Sequence, residues 1–266
     1  NGSGISTNLD NNQNYLFAGG VYCKNSNPTL KNLVIQSNSA EVGGGIGCDE
    51  ANPIINNLII VENSANVADG GGIFLKESSP QIINTLIINN FCYYYGGGIS
   101  SVVNSNPFIE NTTISNNSSS QGYGDGIAVG YYQGGGATLV NCIVSAALGP
   151  TNLIYGDVTI TYSSVQGGYE GEGNIDANPL FCDSENGDYT LAANSPCVGA
   201  GENGANMGAL GVGCDAFDIS LTINEIMQNP SAVSDSDGEW FEIFNSGDIE
   251  LDLNGWTIKD ADTDNH

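Results

Sequence analysis

One five-residue opening, with the same sequel, is written four times in this chain. Gly44-Gly45-Ile46-Gly47-Cys48 is followed by Pro53, Ile55, Asn57, Leu58, Ile60 and Asn63. Gly19-Gly20-Val21-Tyr22-Cys23 leads to Pro28, Leu30, Asn32, Ile35 and Asn38. Gly71-Gly72-Ile73-Phe74-Leu75 leads to Pro80, Ile82, Asn84, Ile87 and Asn90, and Gly97-Gly98-Ile99-Ser100-Ser101 to Pro107, Ile109, Asn111, Ile114 and Asn117. The prolines lie 25, 27 and 27 residues apart, and the closing asparagines keep the same steps. A fixed period of this length means stacked repeats, which excludes most other architectures at once.

Within each unit the apolar residues alternate, as Val21 and Cys23 do around Tyr22, and no segment carries an apolar stripe of helical period. Glycine and proline punctuate the units as turn formers. A single repeat cannot bury its apolar face, but stacked coils about 4.7–4.9 Å apart cover one another. Equivalent residues then form ladders. Asn32, Asn57, Asn84 and Asn111 make one, with Asn141 extending it; Asn38, Asn63, Asn90 and Asn117 make a second. A stacked amide donates to one neighbouring coil and accepts from the other, so both ladders are expected at buried turns.

The Gly-Gly-(Gly)-Ile-x-Cys start with its Pro-x-Ile-x-Asn continuation resembles secreted right-handed parallel β-helix proteins and the glycine-rich repeats of surface adhesins. The resemblance spans residues 1–168 and implies an all-β solenoid, with residues 1–18 as an irregular first coil. It says little about function, because such solenoids serve as lyases, hydrolases, adhesins and stalks. Residues 169–214 change character, with Asn174-Ile175-Asp176-Ala177-Asn178-Pro179-Leu180-Phe181, Gly187-Asp188-Tyr189-Thr190-Leu191, Ser195-Pro196-Cys197-Val198-Gly199-Ala200-Gly201 and Met207-Gly208-Ala209-Leu210-Gly211. They resemble the choice-of-anchor segment that closes many secreted β-helix proteins, which implies a lid on the last coil. A Cys182–Cys214 bridge is expected there, with Cys197 buried and reduced. Residues 215–266 hold strand-like runs at 221–227, 238–245 and 251–258 and resemble the first half of a lamin-tail domain, an immunoglobulin-like β-sandwich. The later strands of that family are missing, where a sandwich has about seven.

Charge narrows the partners. Four lysines and no arginine stand against thirty acids, a net charge of −26. Nucleic acid and anionic membranes are unsuitable partners, and cations are the natural counterions. No apolar run reaches the ~18 residues of a membrane span. The chain is read as a mature or trimmed part of a secreted protein, extracellular or at the cell surface. Of the seven cysteines, Cys23 and Cys48 share one inward position with Leu75 and Ser101. They are read as buried thiols serving as small hydrophobes, with a cross-coil disulfide also sterically open.

Catalysis is not the favoured reading. Lys24, Asp49 and Lys76 share one outward position and are expected to form a surface charge ladder rather than a lyase base. Glu50 and Glu77 align on neighbouring coils and are the best pair for a retaining glycosidase, which places its carboxyls ~5–5.5 Å apart. The single histidine, His266, excludes a Ser-His-Asp site and a histidine-rich metal site. Two acidic stretches suit calcium: Asp235 with Asp237, and Asp260, Asp262 and Asp264. Tyr93, Tyr94, Tyr95, Tyr131 and Tyr132 sit beside glycines at turns and offer rings for surface polysaccharide, or for packing. The reading is therefore a non-catalytic scaffold, stalk or adhesin, with carbohydrate binding or cleavage as the alternative. End-to-end self-assembly into a filament, helped by calcium or salt, completes it.

Overall fold

In the computed structural model, residues 5–9, 13–146, 152–218, 221–227 and 240–247 are described. The chain divides into two compact units, Asn1–Cys214 and Asp215–His266. The first is a parallel β-solenoid. Among the described residues it has three six-stranded parallel sheets and one of four strands. The first sheet stacks Val21–Lys24, Ile46–Asp49, Ile73–Lys76, Ile99–Val102, Ile127–Val129 and Ile154–Tyr155. The second begins at Thr29–Lys31, the third at Val34–Gln36 and the short fourth at Ser39–Ala40. Helix is confined, among the described residues, to the turns Ser184–Asn186 and Glu202–Gly204.

Each repeat element has a mechanical reason. The doubled glycines lie where coils approach most closely: a Cβ on Gly44 would run into the Gly71 carbonyl, and one on Gly71 into the Gly97 carbonyl. The prolines enter the second sheet, where their carbonyls accept from the next coil, as Pro28 does from Ile54 N at 3.0 Å. Ile55, Ile60, Ile82, Ile87, Ile109 and Ile114 point inward and are fully buried, forming one continuous core. Burial of such side chains contributes about 1.5–3 kcal/mol each.

The two asparagine ladders differ. Asn63, Asn90 and Asn117 are buried, with Asn38 at the less covered end. Each side-chain amide bonds to the next asparagine's Oδ1 at 3.0 Å, along 38, 63, 90 and 117. The second amide hydrogen goes backward, from Asn63 to Ile35 O, Asn90 to Ile60 O and Asn117 to Ile87 O. The other ladder departs from expectation: Asn32, Asn57 and Asn84 are exposed and only Asn141 is buried. Its residues all adopt positive φ, from 46° to 57°. Asparagine stands there because it tolerates the left-handed bend between the second and third sheets, not to satisfy a buried turn. Asn57 still donates to Asn32 Oδ1 at 2.7 Å.

The ends also differ from the reading of the sequence. Ile5–Leu9 and Gln13–Phe17 form an antiparallel hairpin, not an irregular coil. Phe17 then joins the stack beside Val42, and its ring lies over Gly47. The lid is shorter than 169–214. Tyr162 N donates to Glu172 O at 2.7 Å, Ile175 N to Ser163 O at 2.9 Å, and the Tyr169 hydroxyl to Val158 O at 3.0 Å. The rest of that segment packs sideways on the outer face of the third sheet. Tyr189 covers Leu86 and Ile88, while Leu191, Cys197 and Met207 cover Ile143. The physical cause is that Leu86, Ile88 and Ile143 point outward and need apolar cover.

In the second unit, Leu221–Met227 pairs antiparallel with Trp240–Asn245, with a register shift beside Asn224. The third run expected at 251–258 lies outside the described residues.

Candidate functional site

The residue just before each glycine run forms its own ladder: Val42, Asp69, Tyr95 and Tyr123. The Gly130–Gly136 turn, lengthened relative to earlier coils, brings Tyr131 back across this ladder. Tyr131 stacks on Tyr95 at 4.0 Å between ring centroids, and Tyr95 stacks on Tyr123 at 4.9 Å. Tyr155 meets both Tyr95 and Tyr123 at 5.6 Å. The Tyr131 hydroxyl donates to Asp69 Oδ2 at 2.9 Å and also bonds Ser100 Oγ at 2.6 Å. Asp69 Oδ1 accepts from Tyr95 N at 3.0 Å. Burial raises the Asp69 carboxyl to about 6, even though the Tyr131 and Tyr95 hydrogen bonds favour the charged form. Burial and the adjacent Asp69 charge hold the Tyr131 hydroxyl well above its ordinary value.

This cluster divides the five tyrosines singled out for sugar contact. Tyr95 has both ring faces covered by other tyrosines, and Tyr131 spends its hydroxyl on Asp69 and Ser100. Tyr93 and Tyr94 form an edge-to-face pair at 4.7 Å and are exposed. Tyr132 is exposed, and its hydroxyl accepts from Gln133 Nε2 at 3.1 Å. Sequence reasoning missed Asp69, Ser100, Tyr123 and Tyr155. The position preceding the glycines was the available signal, since it stacks whatever residue occupies it.

Glu50 and Glu77 sit next to each other on neighbouring coils, both exposed and both at positive φ. They occupy an exposed turn after the first sheet, and Glu77 lies 3.9 Å from the Lys76 ammonium. The expected surface charge ladder needs correction. Asp49 and Lys76 do point outward, but they are buried, at 3% and 8% exposure, and only Lys24 is open to solvent. An outer apolar layer of Phe17, Val42, Phe74, Val102 and Val103, with Tyr22 and Tyr131 against it, flanks this face. A ladder of repeats does not reveal such a layer, because Phe17 and Tyr131 reach it from outside the regular strands, while Tyr22, Phe74 and Val102 occupy outward repeat positions that carry no apolar residue on every coil.

Cys182 and Cys214 are joined by a disulfide, with Cα atoms 6.0 Å apart. Cys23, Cys48, Cys92, Cys142 and Cys197 are free and buried. Burial raises Cys142 to about 12 and pushes Cys92 up further, as suits inert thiols. Among the described residues no cluster of three or more His, Cys, Asp or Glu is arranged to hold a metal ion. Asp235, Asp237, Asp260, Asp262 and Asp264 lie outside the described residues.

Comparison with known families matches residues 219–266 to the model of the Lamin Tail Domain, an immunoglobulin-like fold. No curated protein and no solved structure matches the chain. No helix among the described residues is long and apolar enough to cross a membrane. A β-solenoid joined to a lamin-tail segment is an architecture suited to a structural or scaffold role.

Proposed function

We propose that this chain is a non-catalytic extracellular scaffold, a surface stalk or adhesin in which the solenoid acts as the spacer. The observation that carries this reading is the filling of the solenoid. Its inward positions hold stacked isoleucines and a self-satisfied amide ladder, while the aligned acids Glu50 and Glu77 stand on an exposed turn. A glycosidase needs its two carboxyls around a bound sugar, and two carboxyls on an exposed turn do not enclose one. The disulfide speaks for an oxidising compartment, where such bonds persist. Calcium bound by the acidic stretches of residues 235–264 belongs to the same proposal, in keeping with the preference of hard cations for carboxylate oxygens. A sugar-release assay on a polysaccharide panel tests the reading, with no product expected. Release that disappears in Glu50→Gln or Glu77→Gln would replace the scaffold with an enzyme.

A second reading, contact with surface polysaccharide, is favoured by the exposed rings of Tyr93, Tyr94, Tyr123 and Tyr132 around one stack. Tyrosine faces stack on sugar rings through their apolar area. A glycan array probed with the intact chain and with Tyr94→Ala is the test. Binding lost in the variant supports it, and an array without hits removes it.

A further inference from the structure

The residue before each repeat proline forms a further ladder: Asn27, Asn52, Ser79 and Asn106. At each step the side-chain oxygen accepts the backbone N–H of its successor. Asn52 N donates to Asn27 Oδ1 at 2.7 Å, Ser79 N to Asn52 Oδ1 at 2.5 Å and Asn106 N to Ser79 Oγ at 2.9 Å. The ladder stops at the next coil. Phe108 pairs with Thr138, so Gly136 stands at the following rung. Gly136 has no side chain to continue the ladder, and its N–H donates to Ser105 O at 3.1 Å instead. Asn106 Nδ2 donates to Asn104 O at 2.7 Å, while Asn106 Oδ1 accepts no hydrogen bond among the described residues. Beside this broken rung is a hollow of about 200 Å³, lined by Asn106, Gly136, Ala137, Thr138, Asp157 and Thr159.

The lining defines what the hollow can take. Ile109, Leu139 and Ile160 point inward and are buried, so Phe108, Thr138 and Thr159 point outward on three consecutive rungs. Phe108 is exposed beside the hollow, and Asn106, Asp157 and Thr159 are exposed within it. The Thr138 and Thr159 hydroxyls and the Asp157 carboxylate make no hydrogen bond among the described residues. The set is one aromatic ring, two hydroxyls, an amide oxygen and a carboxylate, and no lysine lines it. A sugar ring matches it. The apolar face of a sugar packs on an aromatic ring. Its hydroxyls donate to amide and carboxylate oxygens and exchange hydrogen bonds with threonine hydroxyls. The volume is below the ~300 Å³ of pockets for drug-sized ligands and suits a single ring. A net charge of −26, with no cation at the hollow, disfavours uronic acids. We propose that the hollow binds one neutral pyranose unit of a polysaccharide, with Asp157 and Asn106 Oδ1 accepting from its hydroxyls and Phe108 packing on its apolar face. The proposal rests on the polysaccharide reading above, but it moves the sugar from the tyrosines to a site where hydrogen bonds tell hydroxyls apart.

The test is saturation-transfer NMR on the full chain, in chelator, with the methyl glycosides of glucose, galactose and mannose and with methyl glucuronide as the charged counterpart. Transfer to at least one neutral glycoside is expected, and none to the glucuronide. Asp157→Ala and Phe108→Ala should each weaken binding about tenfold, through loss of a charged hydrogen bond or a packed ring. Both residues are exposed, so both variants should keep the β-rich circular dichroism. Gly136→Ala places a methyl 3.2 Å from Asp157 O and 3.7 Å from Asn106 Oδ1, at the wall of the hollow, and should weaken binding as well. Binding that survives these three variants and is lost in Tyr94→Ala overturns this site and leaves the polysaccharide reading standing. No transfer to any glycoside from the intact chain overturns both. Binding that requires calcium, or that favours the glucuronide, overturns the neutral-sugar assignment.

Discussion

At the scale of single residues, polar side chains decide as much as apolar ones. The Asn90 side chain makes four hydrogen bonds, two accepted from Asn63 and two donated to Ile60 O and Asn117 Oδ1. Asn90→Ala leaves buried partners on both sides unpaired, so a loss of about 3–5 kcal/mol is expected in denaturant unfolding. A loss below about 1 kcal/mol would show that water replaces the amide. Asp69 makes the opposite kind of contribution. Its folded carboxyl titrates at about 6, above the ordinary value of 3.8. The folded state therefore holds this proton more tightly than the unfolded chain does. The resulting stabilisation is fully present below the unfolded value and is lost as pH rises through about 6. Between about pH 7.5 and about pH 5 the wild type should gain about 1 kcal/mol relative to Asp69→Asn. A stability difference that stays flat over that interval would rule out the assigned titration.

At the scale of elements, the segment after the last coil works as a lateral cover. Its disulfide closes a loop with a sequence separation of 32 and holds Tyr189, Leu191 and Met207 against the third sheet. Closing such a loop is worth about 3–4 kcal/mol through the unfolded chain. Reduction should therefore raise the free thiols from five to seven and lower the melting temperature. Hydrogen exchange should quicken in 178–214 and in the outer-facing strands Leu86–Ile88 and Ile143–Ser145. An unchanged melting temperature with seven thiols titrated would mean that packing alone holds the cover. The same scale explains the Gly130–Gly136 turn: Tyr131 anchors it by reaching Asp69, 62 residues earlier in sequence.

At the scale of the whole molecule, charge and stacking pull against each other. A net charge of −26 on 266 residues repels itself at low ionic strength, where the screening length is about 30 Å at 0.01 M salt. Screening to about 8 Å at 0.15 M should raise the melting temperature, with no accompanying change in the β-rich circular dichroism. Melting that is independent of salt would mean that the acids are already neutralised by bound cations or spread too far apart to interact. Calcium at matched ionic strength separates those cases, because a specific site stabilises beyond simple screening.

The repeat alone determined the solenoid: the period, the inward isoleucines, the glycine approach and the buried amide ladder are local in each coil and repeated until stacking is the only way to bury them. Cys23 and Cys48 could be placed on one rung for the same reason. What the tertiary structure decided lies outside that periodicity. Phe17, Tyr131 and Tyr189 come from a hairpin, an irregular turn and a trailing segment, and no repeat position says where they land. Tyr189 covers Leu86 and Ile88, and Phe17 and Tyr131 join the apolar layer on the outer side of the first sheet, on faces that a repeat by itself leaves open to water. Burial by non-neighbouring chain is a property of packing, and it covers an outward face without changing a residue.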